Sequence, residues 1–376
     1  MNPPAAGNPA ARYTRTNMSE ATIALEEITA RLEDRELAPG ERVRLECLRV
    51  VAAAEVLADS DPDAAADDAE AALHAWHEAP ADHDKVWALV HLAAVFLTAG
   101  RNERALEIGR EALALASRTL DVYDPLVRRA LETCGRALAG LARVEESEGM
   151  FTALANISSF DPPGARGAMA VGIARALASA APHLALEFAT RAVELFSGDR
   201  GRSAPETVDA EVVAARCEAK AGDPSAAIER LVRCADAAGK SPVAAYPLEA
   251  LALLYSEAGY DEHAISAARD AVEARSLDGT VSLAGALTFH NAALVMSRYA
   301  ATTGTGLEGA IAAYATALEA YALAGADENV VTRAGFEASD VAALLAPEGA
   351  EAIRSVVAEG GNARQIAAAI RRIATT

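Results

Sequence analysis

Aromatic residues are scarce in this chain. They make up 5% of its 376 residues, although hydrophobic residues reach 52%. Much of the apolar content is therefore alanine, the best helix former and a residue that lets backbones approach closely. Strand-like runs of Val, Ile, Thr and aromatics are nearly absent, which argues against a β-rich fold and predicts an all-helical one. Cations are also in short supply: 34 Lys and Arg face 54 Asp and Glu, a net charge of -20. Nucleic-acid binding draws its affinity from clustered cations that neutralise phosphates, so no nucleic acid is expected as a direct partner. Apolar runs such as "WALVHLAAVFL" are too short to span a bilayer, so no membrane partner is expected. The opening "MNPPAAGNPAARYTRTN" lacks the apolar centre of a signal peptide and reads as a disordered tail over residues 1–18. Four cysteines, Cys47, Cys134, Cys217 and Cys234, show no C-x-x-C spacing, which fits a reduced, cytoplasmic setting.

The acid is unevenly spread. Residues 19–80 hold 16 Asp and Glu against five Arg and no Lys. A solvated face that keeps an alanine-rich chain soluble explains this most simply. A docking surface for a basic partner is the sharper alternative.

What is present is self-similarity. "LYSEAGYDEHAISAARDAV" sets Leu251, Ala252 and Tyr255 before Gly259, then Ala264, Ala268 and Ala271. "LAAVFLTAGRNERALEIGREAL" sets Leu92, Ala93 and Phe96 before Gly100, then Ala105, Gly109 and Ala112 in the same register. Large residues on a first helix fill the space between helices. Small residues on a second helix allow a close crossing, and Gly, Asp or Asn makes the turn. The second-helix signature recurs at Ala65/Ala69/Ala72, Ser147/Phe151/Leu154, Ala185/Ala189/Ala192, Ala227/Leu231/Cys234 and Ala310/Tyr314/Ala317. Successive copies start 40, 42, 38, 42, 37 and 46 residues apart.

Both full segments resemble the tetratricopeptide repeat (TPR), a helix–turn–helix unit. The resemblance covers about residues 44–322 and implies an all-α, right-handed superhelical solenoid of about seven TPR-like repeats, of a longer variety than the usual 34 residues. A flanking helix is expected within 19–43 and capping helices within 323–376, since the ends of a solenoid must cover an exposed apolar face. Asp61-Pro62 and Asp223-Pro224 mark starts of second helices, and Ser203-x-x-Glu206 reads as a capping box. "SSFDPPGARG" at 158–167 and "SGDRGRSAP" at 197–205 read as inter-repeat loops.

Three patterns invite chemical readings. Gly304, Gly306 and Gly309 stand in G-x-G-x-x-G spacing, with Asp327-Glu328 about twenty residues on. A dinucleotide loop needs a preceding strand. Here a first helix precedes, so the glycines are expected in an inter-helix turn. His74, His77 and His83 form the single histidine cluster, read as surface residues at a helix end rather than metal ligands. Cys217 and Cys234 fall on the two helices of one repeat, as small core residues. No nucleophile with base and orienting acid, no G-x-S-x-G and no phosphate loop is visible, so no catalysis, cofactor or metal is expected.

The resemblance implies that first helices line a concave face that holds a protein or peptide partner. Projected onto those helices, Trp87, Val90 and His91 form an apolar patch. Arg129 and Arg136, Arg216 and Lys220, and Tyr299 follow along the array. Such arginines suit carboxylates, and Trp87 suits an anchoring role. The local alternative is an Arg paired with a neighbouring Glu and a Trp packed between helices. The family's Lys and Asn set for chaperone tails is not found. The expected function is a protein- or peptide-binding scaffold or adaptor. A regulatory sensor of a peptide or partner is the alternative, an enzyme the remote one, and homo-oligomerisation stays open.

Overall fold

The computed structural model describes residues 20–33, 39–58, 61–76, 82–276 and 282–374. The expected tail at 1–18 lies outside the described residues, as does His77. The described residues form eighteen α-helices and no strand. The fold is all-α, built of TPR-like helical hairpins, and by contact it divides into two compact units.

The first unit runs to Asp161 and also takes Ser179–Ala181. It holds α1 (Glu20–Leu32), α2 (Pro39–Ala58), α3 (Pro62–Trp76), α4 (His83–Thr98), α5 (Asn102–Thr119), α6 (Pro125–Gly140) and α7 (Val144–Ile157). Each helix packs on the next, and the first helices α2, α4 and α6 also pack side by side. The second unit holds α8 (Pro163–Leu177), α9 (Pro182–Arg200), α10 (Pro205–Lys220), α11 (Pro224–Ala238), a 3-10 turn (Pro242–Ala244), α12 (Ala245–Glu257) and α13 (Asp261–Ser276). It continues with α14 (Leu283–Thr303), α15 (Leu307–Ala324), α16 (Glu328–Leu345), α17 (Pro347–Ala358) and α18 (Ala363–Ala374). Its first helices α8, α10, α12, α14 and α16 touch in that order, while α18 closes over α15, α16 and α17. Ile366, Ile370 and Ile373 supply the buried stripe of α18.

Local chemistry sets the helix starts. Pro125, Pro163, Pro224 and Pro347 occupy first-turn positions, where a missing N–H costs nothing. The Asp61 carboxylate accepts from the Ala64 amide at 3.1 Å, and that of Asp223 from the Ala226 amide at 2.9 Å. Ser203 does not cap α10. Ala204 is the N-cap, without a side-chain bond, and Glu206 is drawn instead to Arg200. Pro205 takes the first helical position, which makes Ala204 the N-cap and leaves Ser203 outside the helix. α9 reaches Arg200 and α8 starts at Pro163, so both inter-repeat loops are shorter than expected.

The signature residues mark the crossings. All twenty-one, from Ala65 to Ala317, are buried. Where the second helix offers a large residue, the first yields: a Cβ on Gly135 of α6 would stand 2.7 Å from the Phe151 ring of α7. Ala142 sits five residues before Ser147, where Gly100, Gly222 and Gly259 precede their own signatures. Its φ of 56° is left-handed, a conformation that costs an alanine about 1–2 kcal/mol.

Ion pairs tie successive hairpins. In the first unit Arg101 meets Asp67 at 3.0 Å, and Arg104 holds Glu70 through two bonds of 2.8 Å. In the second, Arg175 meets Asp209 at 2.6 Å. Each joins residues 34 apart, fewer than the signature spacing. Such partly exposed pairs contribute about 0–1 kcal/mol each. They also partner acids of α3 that a basic docking surface would need free.

Candidate functional site

In the first unit the exposed stripe of the first helices starts at Trp87. Its ring stacks on His91, with centroids 4.0 Å apart, and His91 Nε2 lies 3.4 Å from Arg129 Nη1. A guanidinium only donates, so Nε2 accepts. The expected apolar patch is corrected here. Val90 has no exposed surface and belongs to the core, and His91 is buried as well. The reason is that α4 is packed by α2, α3, α5 and α6, which leaves only a narrow strip toward solvent. Trp87 is half-buried against that core. Arg136 is exposed, with Glu132 one turn back at 3.7 Å.

In the second unit Arg216 and Lys220 are exposed on α10, and Tyr299 is half-buried on α14. The structure shows no contact that brings these three together among the described residues. It shows instead a cluster that the sequence reading missed. Glu249 of α12 accepts from the hydroxyl of Thr288 and, at 3.2 Å, from Asn291 Nδ2, both on α14. Arg275 of α13 reaches between these helices. Its Nε donates to Thr288 Oγ at 3.3 Å, its Nη2 is 3.6 Å from Glu249, and the Tyr246 ring lies over it at 4.6 Å. Burial holds the Glu249 carboxyl above its usual pKa, against the pull of Thr288, Asn291 and Arg275. Arg275 also lines a cavity of about 360 Å³ with Phe289, Thr316 and Leu323.

A second polar group links α14, α15 and α16. Glu337 accepts from His290 Nε2 at 2.6 Å, while His290 Nδ1 meets the Tyr321 hydroxyl at 2.8 Å. Burial pushes the Tyr321 phenol up to about 12. His290 faces its neighbours' side chains and acts as an internal tie.

The other chemical readings resolve structurally. Gly304 and Gly306, both at positive φ, turn the chain from α14 into α15, and Asp327 caps α16 by accepting from the Asn329 amide at 2.8 Å. Among the described residues no group of His, Cys, Asp and Glu is placed to hold a metal. Cys134, Cys217 and Cys234 are free and buried, and desolvation raises all three thiols. No described helix is long and apolar enough to cross a membrane.

No protein-family model matches the chain, and no curated protein does. Solved helical-repeat structures are similar at low identity. The apo form of RapI is 11% identical, covering 94% of this chain and 98% of that one, with a TM-score of 0.48. The apo quorum sensor NprR from B. thuringiensis is 12% identical over 90% and 98%, with a TM-score of 0.41. A kinesin light chain of Podosopora anserina with nearly identical TPR-like repeats is 18% identical over 50% and 92%, with a TM-score of 0.41. The fold reading rests on the hairpins themselves.

Proposed function

We propose that the chain is a protein- or peptide-binding scaffold that works through the exposed stripe of its first helices. One observation carries this reading. Among the described residues of the second unit, large apolar side chains stay exposed on the first helices: Tyr246 on α12, Leu283 and Leu287 one turn apart on α14, and Phe336 on α16. Helices that pack on their neighbours yet keep such residues in water offer contact area to a partner. Polar side chains stand among them, as an oriented ligand requires: Asn291, Arg216 and Arg298. Trp87, Arg129 and Arg136 supply the corresponding stripe in the first unit.

The test is retention of a random heptapeptide library and of proteins from a lysate on the immobilised full chain. The double variant Leu287→Glu/Phe336→Glu should lose what the wild type retains, with unchanged helicity. Equal retention by both would remove this face from consideration. A sensor is the alternative use of the same face. It is favoured if the retained species is a free peptide, whereas a stoichiometric folded protein favours a scaffold.

A further inference from the structure

Each second-helix signature has a next buried position, eleven residues after its first member. These positions hold Trp76, Ala116, Ser158, Phe196, Ala238, Arg275 and Tyr321, and all seven are buried. Arg275 is the one charged residue among them. It is 7% exposed, and its Nη2 makes no hydrogen bond shorter than 3.5 Å, its nearest acceptor being Glu249 at 3.6 Å. An arginine left partly unsatisfied in a buried position costs stability, so its retention there calls for an explanation.

Its surroundings are those of a covered receptor. The aromatic cover, Tyr246, is itself 41% exposed at the surface of α12. Glu249 balances the charge through a long ion pair of 3.6 Å to Nη2, and it keeps Thr288 and Asn291 as closer donors of its own. Helix α14, which forms the other wall, carries no Asp or Glu from Leu283 to Thr303. Leu287 is exposed on the same helix, one residue before Thr288. Further along the stripes, Arg216 and Arg298 are exposed, and neither guanidinium makes a hydrogen bond or ion pair among the described residues.

We propose that Arg275, covered by Tyr246, receives a carboxylate of a peptide bound on the first helices α12 and α14. This rests on the reading of that face as peptide-binding. Displacement of the Tyr246 ring exposes the guanidinium, the carboxylate takes the Nη2 hydrogen through a charge-assisted bond, and Glu249 stays held by α14. The carboxylate comes from an Asp or Glu side chain or from the peptide C-terminus.

The test uses heptapeptide libraries free of other acids: one with a fixed central Glu, one with Gln in its place, and both again as C-terminal amides. The full chain should retain the carboxylate-bearing library about tenfold better, the worth of one good charged bond. Loss of preference on Glu-to-Gln exchange assigns a side chain, and loss on amidation assigns the C-terminus. Arg275→Met should abolish the preference while leaving apolar-driven retention. Glu249→Gln, which removes the competing carboxylate, should strengthen it. If Arg275→Met unfolds the chain, Glu249→Gln decides: a preference unchanged or weakened there overturns the proposal. Peptides retained without acid preference overturn it alone, whereas no peptide retained in any arm overturns the peptide-binding reading with it.

Discussion

Replacing Ala264 with leucine probes the packing on which the whole architecture depends. Ala264 is the first signature residue of α13, and it is buried in a cluster with Val212, Ala227, Leu231, Leu251 and Val295. Leucine adds three carbons at a position that is 1% exposed and enclosed by that cluster. Overpacking of this kind costs about 1–3 kcal/mol. For a folding unit of this size, each kcal/mol lowers the Tm by about 2–4 °C, so a fall of roughly 2–12 °C is expected. Urea unfolding followed by far-UV circular dichroism reads the same loss. With an m-value of about 2 kcal/mol per molar, the midpoint moves down by about 0.5–1.5 M. Ser266→Leu, two residues away on the exposed side of α13, is the control and should stay within about 0.5 kcal/mol of wild type. Equal midpoints for the two variants would show that the alanine register does not set the helix crossings.

Three further outcomes follow from particular side chains. Ala142→Gly should raise stability by about 1 kcal/mol, read as a higher urea midpoint, because glycine adopts the left-handed turn at φ 56° without strain. Cys134, Cys217 and Cys234 should resist a thiol reagent at pH 8. Burial raises their folded pKa values, to about 11 for Cys134 and about 12 for Cys234, so their stabilising share is full below the unfolded value near 8.5 and is lost as pH climbs through 11 and 12. A urea midpoint that does not fall between about pH 9 and 12 would contradict that burial. Arg136→Glu should weaken partner retention without lowering the Tm by more than a few degrees, since its one ion pair is long and exposed. Unchanged retention would remove the first unit's stripe from the proposed surface.

The fold was legible because its rules are local. A hairpin whose second helix shows a small or apolar residue at positions one, five and eight announces both its period and its buried face, and every such residue from Ala65 to Ala317 is indeed buried. Turn and cap chemistry could be read at Asp61 and Asp223 because both partners lie within three residues. Ser203 failed for the same kind of reason: Pro205 and Arg200, neither part of the capping pattern, decide what Glu206 does. Val90 failed on a count of neighbours. A helix wheel assumes one buried side, whereas α4 has four helices around it.

The candidate site was half legible. Arg275 continues the stripe Ala264, Ala268, Ala271, so its burial could have been read from periodicity alone. What periodicity does not carry is the distance from Arg275 to Glu249, 26 residues earlier on another helix, or the position of the Tyr246 ring. The same stripe position in the following hairpin holds Tyr321, whose hydroxyl meets His290 on α14, just as Arg275 meets Thr288 on that helix. Two consecutive second helices thus send a polar group from their closing buried position into α14. Tyr321 ends on a satisfied network, with His290 bonded to Glu337. Arg275 ends with Nη2 held only by a long ion pair to Glu249, beneath an exposed ring. A group whose only purpose was to fix helix α14 would need no more than the first arrangement, so the weakly held donor of Arg275 is where a ligand has something left to supply.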